Sequence, residues 1–249
     1  MSFTKEEEMD ADGDDSILRI VKLPVMYHRL SPIKRTTLSS GIDELDRALD
    51  GGYSNPSNVM LLGPGGIRKD MLAYRFAQCS LKSEDEFTIF ITADVAPASI
   101  KEKAAAHGID LSGENIAFID CYSSTIGLFS GEMGVIRIAG PQCLEDISFA
   151  INEIMSRTPG KKIRTVFHSL STFLLFNPRS SVLKFLQVIT GRLRNAGATS
   201  MFLVEDNAHD KQLISTVERL MDEKYAVLDR ESALELEIPS LGLLIKKHF

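Results

Sequence analysis

The sequence predicts an α/β fold, a mostly parallel central sheet with helices on both faces and an antiparallel edge at its carboxyl end. Three observations predict it. Short apolar runs of strand length alternate with stretches whose apolar residues recur every three or four positions. One glycine-rich turn, GPGGIRKD, joins a strand pattern to a helix pattern. The segments YAVLDR, ALELEI and LGLLIK then follow one another with no helix between them.

In chain order, GIDELDRAL places Ile42, Leu45 and Leu49 on one helical face and stops at Gly51-Gly52. NVMLLG is a buried strand, and KDMLAYRFAQCSL a helix with Leu72, Phe76 and Cys79 on one side. FTIFIT is a strand, PASIKEKAAAHG a helix with a glycine stop, and NIAFID a strand. The stretch SSTIGLFSGEMG, residues 123–134, reads as a flexible loop on the strength of its three glycines. Helix CLEDISFAINEIM turns Leu144, Ile147, Ile151 and Ile154 inward and leads to strand IRTVFH. Helix SVLKFLQVITGRL carries Val182, Phe185, Leu186, Ile189 and Leu193 and leads to strand TSMFLV, then helix DKQLISTVERLM. No internal repeat and no linker to a second domain interrupts the series.

Composition bounds the function. The 249 residues are 44% hydrophobic and 25% charged, with no apolar run long enough to span a bilayer. Residues 1–15, MSFTKEEEMDADGDD, hold seven acids against one lysine and so account for the whole net charge of -6. Residues 1–16 therefore read as an acidic, disordered tail and 17–249 as one domain. A neutral body gives nucleic acid no basic field to bind, so a nucleic-acid partner is disfavoured. Cys79, Cys121 and Cys143 are odd in number and lack metal-ligand spacing, which suits reduced, buried thiols in the cytoplasm.

The turn GPGGIRKD departs from the phosphate-loop pattern GxxxxGK[ST]. Gly63 and Lys69 stand in register, but Arg68 replaces the last glycine and Asp70 the hydroxyl. The run SSGIDELDRALDGGYSNPSNVMLLGPGGIRKDMLAYRFA resembles the opening of the KaiC/RadA-like branch of the RecA-fold ATPases. There a Gly-Ile, a Leu-Asp, a Gly-Gly and a strand lead into the phosphate loop. The likeness continues from about Thr37 through ITADVAPASIKEKAAAHGID, IDCYSS, HSLSTFLL and EDNAHDKQLISTVERLMD. It implies a RecA-like three-layer core with ATP at the carboxyl edge of the sheet, commonly between the subunits of a ring or filament.

The departures fall on the chemistry. Arg68 crowds a loop that wraps phosphate, and Asp70 brings an anion to where phosphate oxygens would sit. The resemblance puts a metal-supporting aspartate at the end of IRTVFH, where this chain has His168 before Ser169. Imidazole is a poor magnesium ligand. Asp94 stands where the family often has the acid that activates water, or it caps the following helix. Glu205, Asp206 and His209 read as a polar loop, since no cysteine or tight spacing makes them a metal set.

The expected protein is thus a RecA/KaiC-like regulatory or assembly subunit that has lost efficient hydrolysis. Its candidate nucleotide-binding residues are Gly63, Gly65, Gly66, Arg68, Lys69 and Asp70, with His168 and Ser169 as the altered metal-supporting pair and Asp94 as a catalytic remnant. ATP is the candidate ligand, magnesium is disfavoured, and no metal site is assigned. The expected partners are further copies or a related active ATPase. The alternatives are a weak ATPase with an unusual metal site involving Asp70 and Asp94, and a nucleic-acid-binding recombinase paralogue. One geometric expectation follows from the resemblance: the hydroxyl and the aspartate of an active site approach the same ion, so Asp70 and His168 should lie together, with Lys69 near, as a metal-free polar lock.

Overall fold

The computed structural model describes residues 36–128, 131–230, 233–238 and 243–248. The acidic tail expected over residues 1–16 lies outside them. Nine strands form the main sheet. In chain order they are β3 (Ser57–Gly63), β4 (Glu86–Thr92), β5 (Ile116–Asp120), β6 (Val135–Arg137), β7 (Lys162–His168), β8 (Thr199–Glu205), β9 (Glu223–Arg230), β10 (Ala233–Ile238) and β11 (Leu243–His248). Across the sheet they run β11-β10-β9-β3-β8-β7-β4-β5-β6. The seven from β9 to β6 are parallel, and β10 and β11 add the antiparallel edge. Two further strands, β1 (Thr36–Leu38) and β2 (Tyr53–Asn55), pair antiparallel as a small separate sheet that the sequence reading missed. Each is three residues long, too short for a period of two to show.

Two apolar layers cover the sheet. On one face lie α1 (Asp43–Ala48), α2 (Ile67–Gln78) and α3 (Pro97–Ala105), whose Leu45, Leu72, Phe76 and Ile100 pack with Val59, Leu61, Phe90 and Val166. On the other lie α4 (Leu144–Arg157), α5 (Leu170–Phe176), α6 (Arg179–Asn195) and α7 (Lys211–Glu218). Their Ile147, Ile151, Phe173, Leu186, Ile189 and Val217 pack with Ile89, Ile119, Phe167 and Phe202. The central strands are apolar on both sides because helices cover both. α5 was not foreseen: its seven residues, about two turns directly after a strand, are too few for helical periodicity to resolve. In the expected flexible loop, Ser123–Ile126 form a 3-10 turn ended by Gly127 at φ 72. Residues 129 and 130 lie outside the described residues, so the reading of 123–134 as a flexible loop is tested only in part.

Strand alternation decides where β7 aims its polar residues. Ile163 and Phe167 enter the α4–α7 layer, so Arg164, Val166 and His168 face α2. Arg164 is almost completely buried, yet its charge is paired and its guanidinium hydrogen-bonded. Its Nε meets Glu86 Oε2 at 2.6 Å, Nη1 donates to the Ser39 carbonyl at 2.7 Å, and the guanidinium lies 4.7 Å from the Phe76 ring centre. It ties β7 to β4, to the entry segment and to α2.

Gly63 ends β3 where β9 passes closest. A Cβ there would sit 2.5 Å from the Val227 carbonyl oxygen, which is backbone and cannot swing aside. Gly63→Ala is expected to lower the unfolding free energy by about 1–3 kcal/mol through overpacking, read as a lower urea midpoint. A close approach of two strands is sufficient reason for glycine here, whatever else the turn does.

Candidate functional site

The carboxyl ends of β3, β8, β7 and β4 stand side by side, with Gly63 opposite Glu205 and Thr92 opposite His168 in register. Turns leaving these ends carry the chemistry of open parallel sheets. The first turn, from Gly63 to Gly66, leads into α2; Gly66 has φ 134, a conformation that suits glycine, and space beyond it is open.

Lys69 sits in the first turn of α2 and is buried. Its Nζ donates to the carbonyls of Gly63 at 3.1 Å and Val204 at 3.0 Å, tying the ends of β3 and β8 together. Burial holds its pKa below the ordinary lysine value, against the upward pull of Glu205, Asp70, Asp206 and Asp94. Glu205 was read from sequence as part of a polar loop. Its carboxylate instead leans over the turn, with Oε1 3.0 Å from where a Cβ on Gly65 would be. The signal that could have found it is register: it ends the strand beside β3, level with Gly63.

One residue further along α2, Asp70 projects over β8 towards β7. Its Oδ1 lies 3.1 Å from His168 Nε2, while His168 Nδ1 lies 3.4 Å from Asp94 Oδ1. Both contacts are within ion-pair range, and neither oxygen is aligned for a linear hydrogen bond. The pairing is therefore electrostatic before it is directional. The imidazole is 4% exposed, stacked against Tyr74 and tilted against Phe90. Burial alone would strip its proton, but the two flanking carboxylates outweigh burial and push its pKa up to about 9. With a carboxylate at each ring nitrogen, the arrangement suits an imidazolium with both nitrogens protonated. Burial, aided by Asp70 and Asp94, likewise raises the Tyr74 phenol well above its ordinary value.

The structure thus brings Asp70 and His168 to contact, as expected, and adds Asp94, which had been weighed as a cap. The N-cap position of α3 is Ala96, with no side-chain cap, so that role for Asp94 is corrected: it faces the imidazole. Lys69 stands apart from the pair, and its expected place in the polar lock is corrected too; its amine is held by carbonyls. Ser169 follows a cis peptide bond and is the buried N-cap position of α5. His209, with pKa lowered first by burial, remains on the rim beside Asp210. The backbone of Arg68 belongs to α2.

Magnesium does not fit this donor set. Asp70 and Asp94 already face a cationic imidazole, and a dication beside that charge would be repelled. Among the described residues no group of three or more His, Cys, Asp or Glu side chains is arranged to hold a metal ion. Four carboxylates act on Lys69, and its ammonium points into the strand ends. No helix among the described residues is long and apolar enough to cross a membrane.

The fold and sequence both have relatives. A KaiC-like protein from the hyperthermophilic archaeon Pyrococcus horikoshii superposes with a TM-score of 0.63 at 20% identity, covering 87% of this chain and 90% of that one. A UPF0273 protein from Sulfurisphaera tokodaii is 25% identical over 182 residues, 70% of this chain; the match spans 61% of that relative's length. Residues 38–235 match the family described as the KaiC ATPase, which is most of the chain, and the protein therefore belongs to the KaiC ATPase family, with a RecA-like α/β fold.

Proposed function

We propose that this KaiC-family protein has exchanged ATP hydrolysis for a regulatory or assembly role in the cytoplasm, as a subunit that joins copies of itself or a related active ATPase. The observation that carries the reading is the imidazole of His168 between Asp70 and Asp94, at the strand end where the family resemblance expects a metal-supporting aspartate. A cationic side chain between two acids provides the charge balance that a bound ion would otherwise supply. The inward turn of Lys69 supports the same reading, because its ammonium is engaged by two carbonyls. Exposed Leu175 and Phe176 at the end of α5 supply apolar surface beside this edge, in keeping with an assembly role.

Calorimetric titration with ATP, with and without magnesium, tests it. The natural protein is expected to give no heat of binding. The triple variant Arg68→Gly, Asp70→Thr, His168→Asp restores the phosphate-loop pattern and is expected to bind in the micromolar range, about -8 kcal/mol. Micromolar binding by the natural protein would replace this reading with that of a nucleotide site using the glycine turn and Lys69 without the usual metal.

A further inference from the structure

On the face opposite α2, the helices α4 and α6 leave a groove of about 590 Å³. Its apolar lining comes from Leu144, Phe149, Phe185 and Val188. Phe149 is 74% exposed and Val188 49%, although both stand on regular helices in the middle of the chain. Such paired exposure is a mark of an interaction surface rather than of isolated surface residues. The polar lining is asymmetric: Lys184 and Arg192 from α6 against Glu145 from α4. α6 carries four cations and no acid; Arg179 pairs with Asp210 and Arg194 with Asp222, while Lys184 and Arg192 have no ion pair among the described residues.

We infer that this groove is the docking site of the chain's own amino-terminal segment, with Ile17–Leu30 on the apolar floor and the acids of residues 6–15 at the basic amino-terminal end of α6. Four features of the chain point to that occupant. First, ILRIVKLPVMYHRL has nine apolar residues in fourteen and would otherwise leave them in water. Secondly, the described chain begins at Thr36, which pairs with Asn55; Thr199, the residue opening β8, donates to the Asn55 side chain at 2.9 Å. Thr199 closely follows the end of α6, so the segment enters beside the Arg192 end of the groove.

Thirdly, the segment is more than long enough to cover the groove. From Arg192 back to Ser181 is about 16 Å of helix, whereas Ile17–Leu30 can extend to roughly 45 Å, leaving residues 31–35 to round the sheet edge. Fourthly, the charges match. A segment running from Arg192 towards Ser181 delivers seven acids to the amino end of α6, where Lys184, Arg179 and the helix dipole favour anions. The same path brings Arg19 and Lys22 towards Glu145, the acid on the groove wall.

Hydrogen exchange of the full chain, read by mass spectrometry, tests the inference. Amides of residues 17–30 are expected to exchange at least about tenfold more slowly than those of residues 5–15, after correction for intrinsic rates. Phe149→Asp with Val188→Asp should abolish that protection while leaving the thermal midpoint nearly unchanged, since both side chains are exposed. Lys184→Glu with Arg192→Glu should weaken it and make it insensitive to salt. Protection should not depend on protein concentration. An unprotected segment in the natural protein, or protection that survives the Phe149/Val188 double variant, would overturn the inference. Protection that appears only as concentration rises would overturn it in favour of a second copy as the source of the segment.

Discussion

Replacing His168 by alanine is expected to lower the unfolding free energy by about 2–4 kcal/mol near neutral pH, because it removes a buried cation and leaves Asp70 and Asp94 facing each other across a cavity. The range is set below that of a fully enclosed pair, since Asp94 retains about a third of its side-chain exposure. The effect has a pH signature. His168 has an ordinary value of 6.5 and is pushed up to about 9 in the folded protein, so the native state binds its proton more tightly than the unfolded chain does. The contribution is therefore fully present below about pH 6.5, declines as pH rises, and is gone above about pH 9. The shift corresponds to about 3 kcal/mol. Urea titrations of the natural protein and of His168→Asn at pH 6 and pH 9.5 measure it. The natural protein should lose most of its advantage over the variant between those two values. An advantage that is the same at both pH values would mean that His168 acts by packing alone.

Arg164→Ala is expected to have an effect at least as large, about 3–5 kcal/mol. The reason differs: removal strands Glu86, a partly buried carboxylate, and leaves the Ser39 carbonyl without its donor. It also removes the stacking contact with Phe76. In a chain of this size the loss should lower the melting temperature by roughly 10 °C in a calorimetric scan. Arg164→Met keeps the apolar stem along the α2 layer and should recover only part of it. A double change with Glu86→Gln separates the two contributions: if the stranded carboxylate dominates, adding Glu86→Gln to Arg164→Ala should restore stability rather than lower it further.

The mostly parallel sheet, its antiparallel edge and its two apolar layers were legible because each central strand is a continuous apolar run and each long helix shows a period of three to four. Ile147, Ile151 and Ile154 on α4, and Val182, Phe185 and Ile189 on α6, are buried as their spacing requires. What escaped was short or non-local. β1, β2 and β6 have three residues each, and α5 has seven. β6 follows directly on the stretch 123–134 that read as a loop, and Val135–Arg137 is too short to stand out beside its glycines. Within the site, the contact between Asp70 and His168 could be anticipated because the resemblance assigns both positions to one ion. Asp94 was noticed but given the wrong neighbour, since a residue two places beyond a strand end can turn either way. Glu205 was undervalued because its importance lies in lateral register with Gly63, 142 positions earlier in the chain, and linear spacing does not carry that information.

The imidazolium between Asp70 and Asp94 has one consequence for how the carboxyl edge of the sheet behaves over time. A soluble ion has a dissociation constant, and the edge it organises fills and empties as its supply rises and falls. A charge built into the covalent chain has none. Well below pH 9 the imidazole carries that charge in nearly every molecule, so on the reading proposed above this edge would keep one shape where a ligand-dependent edge would alternate between two.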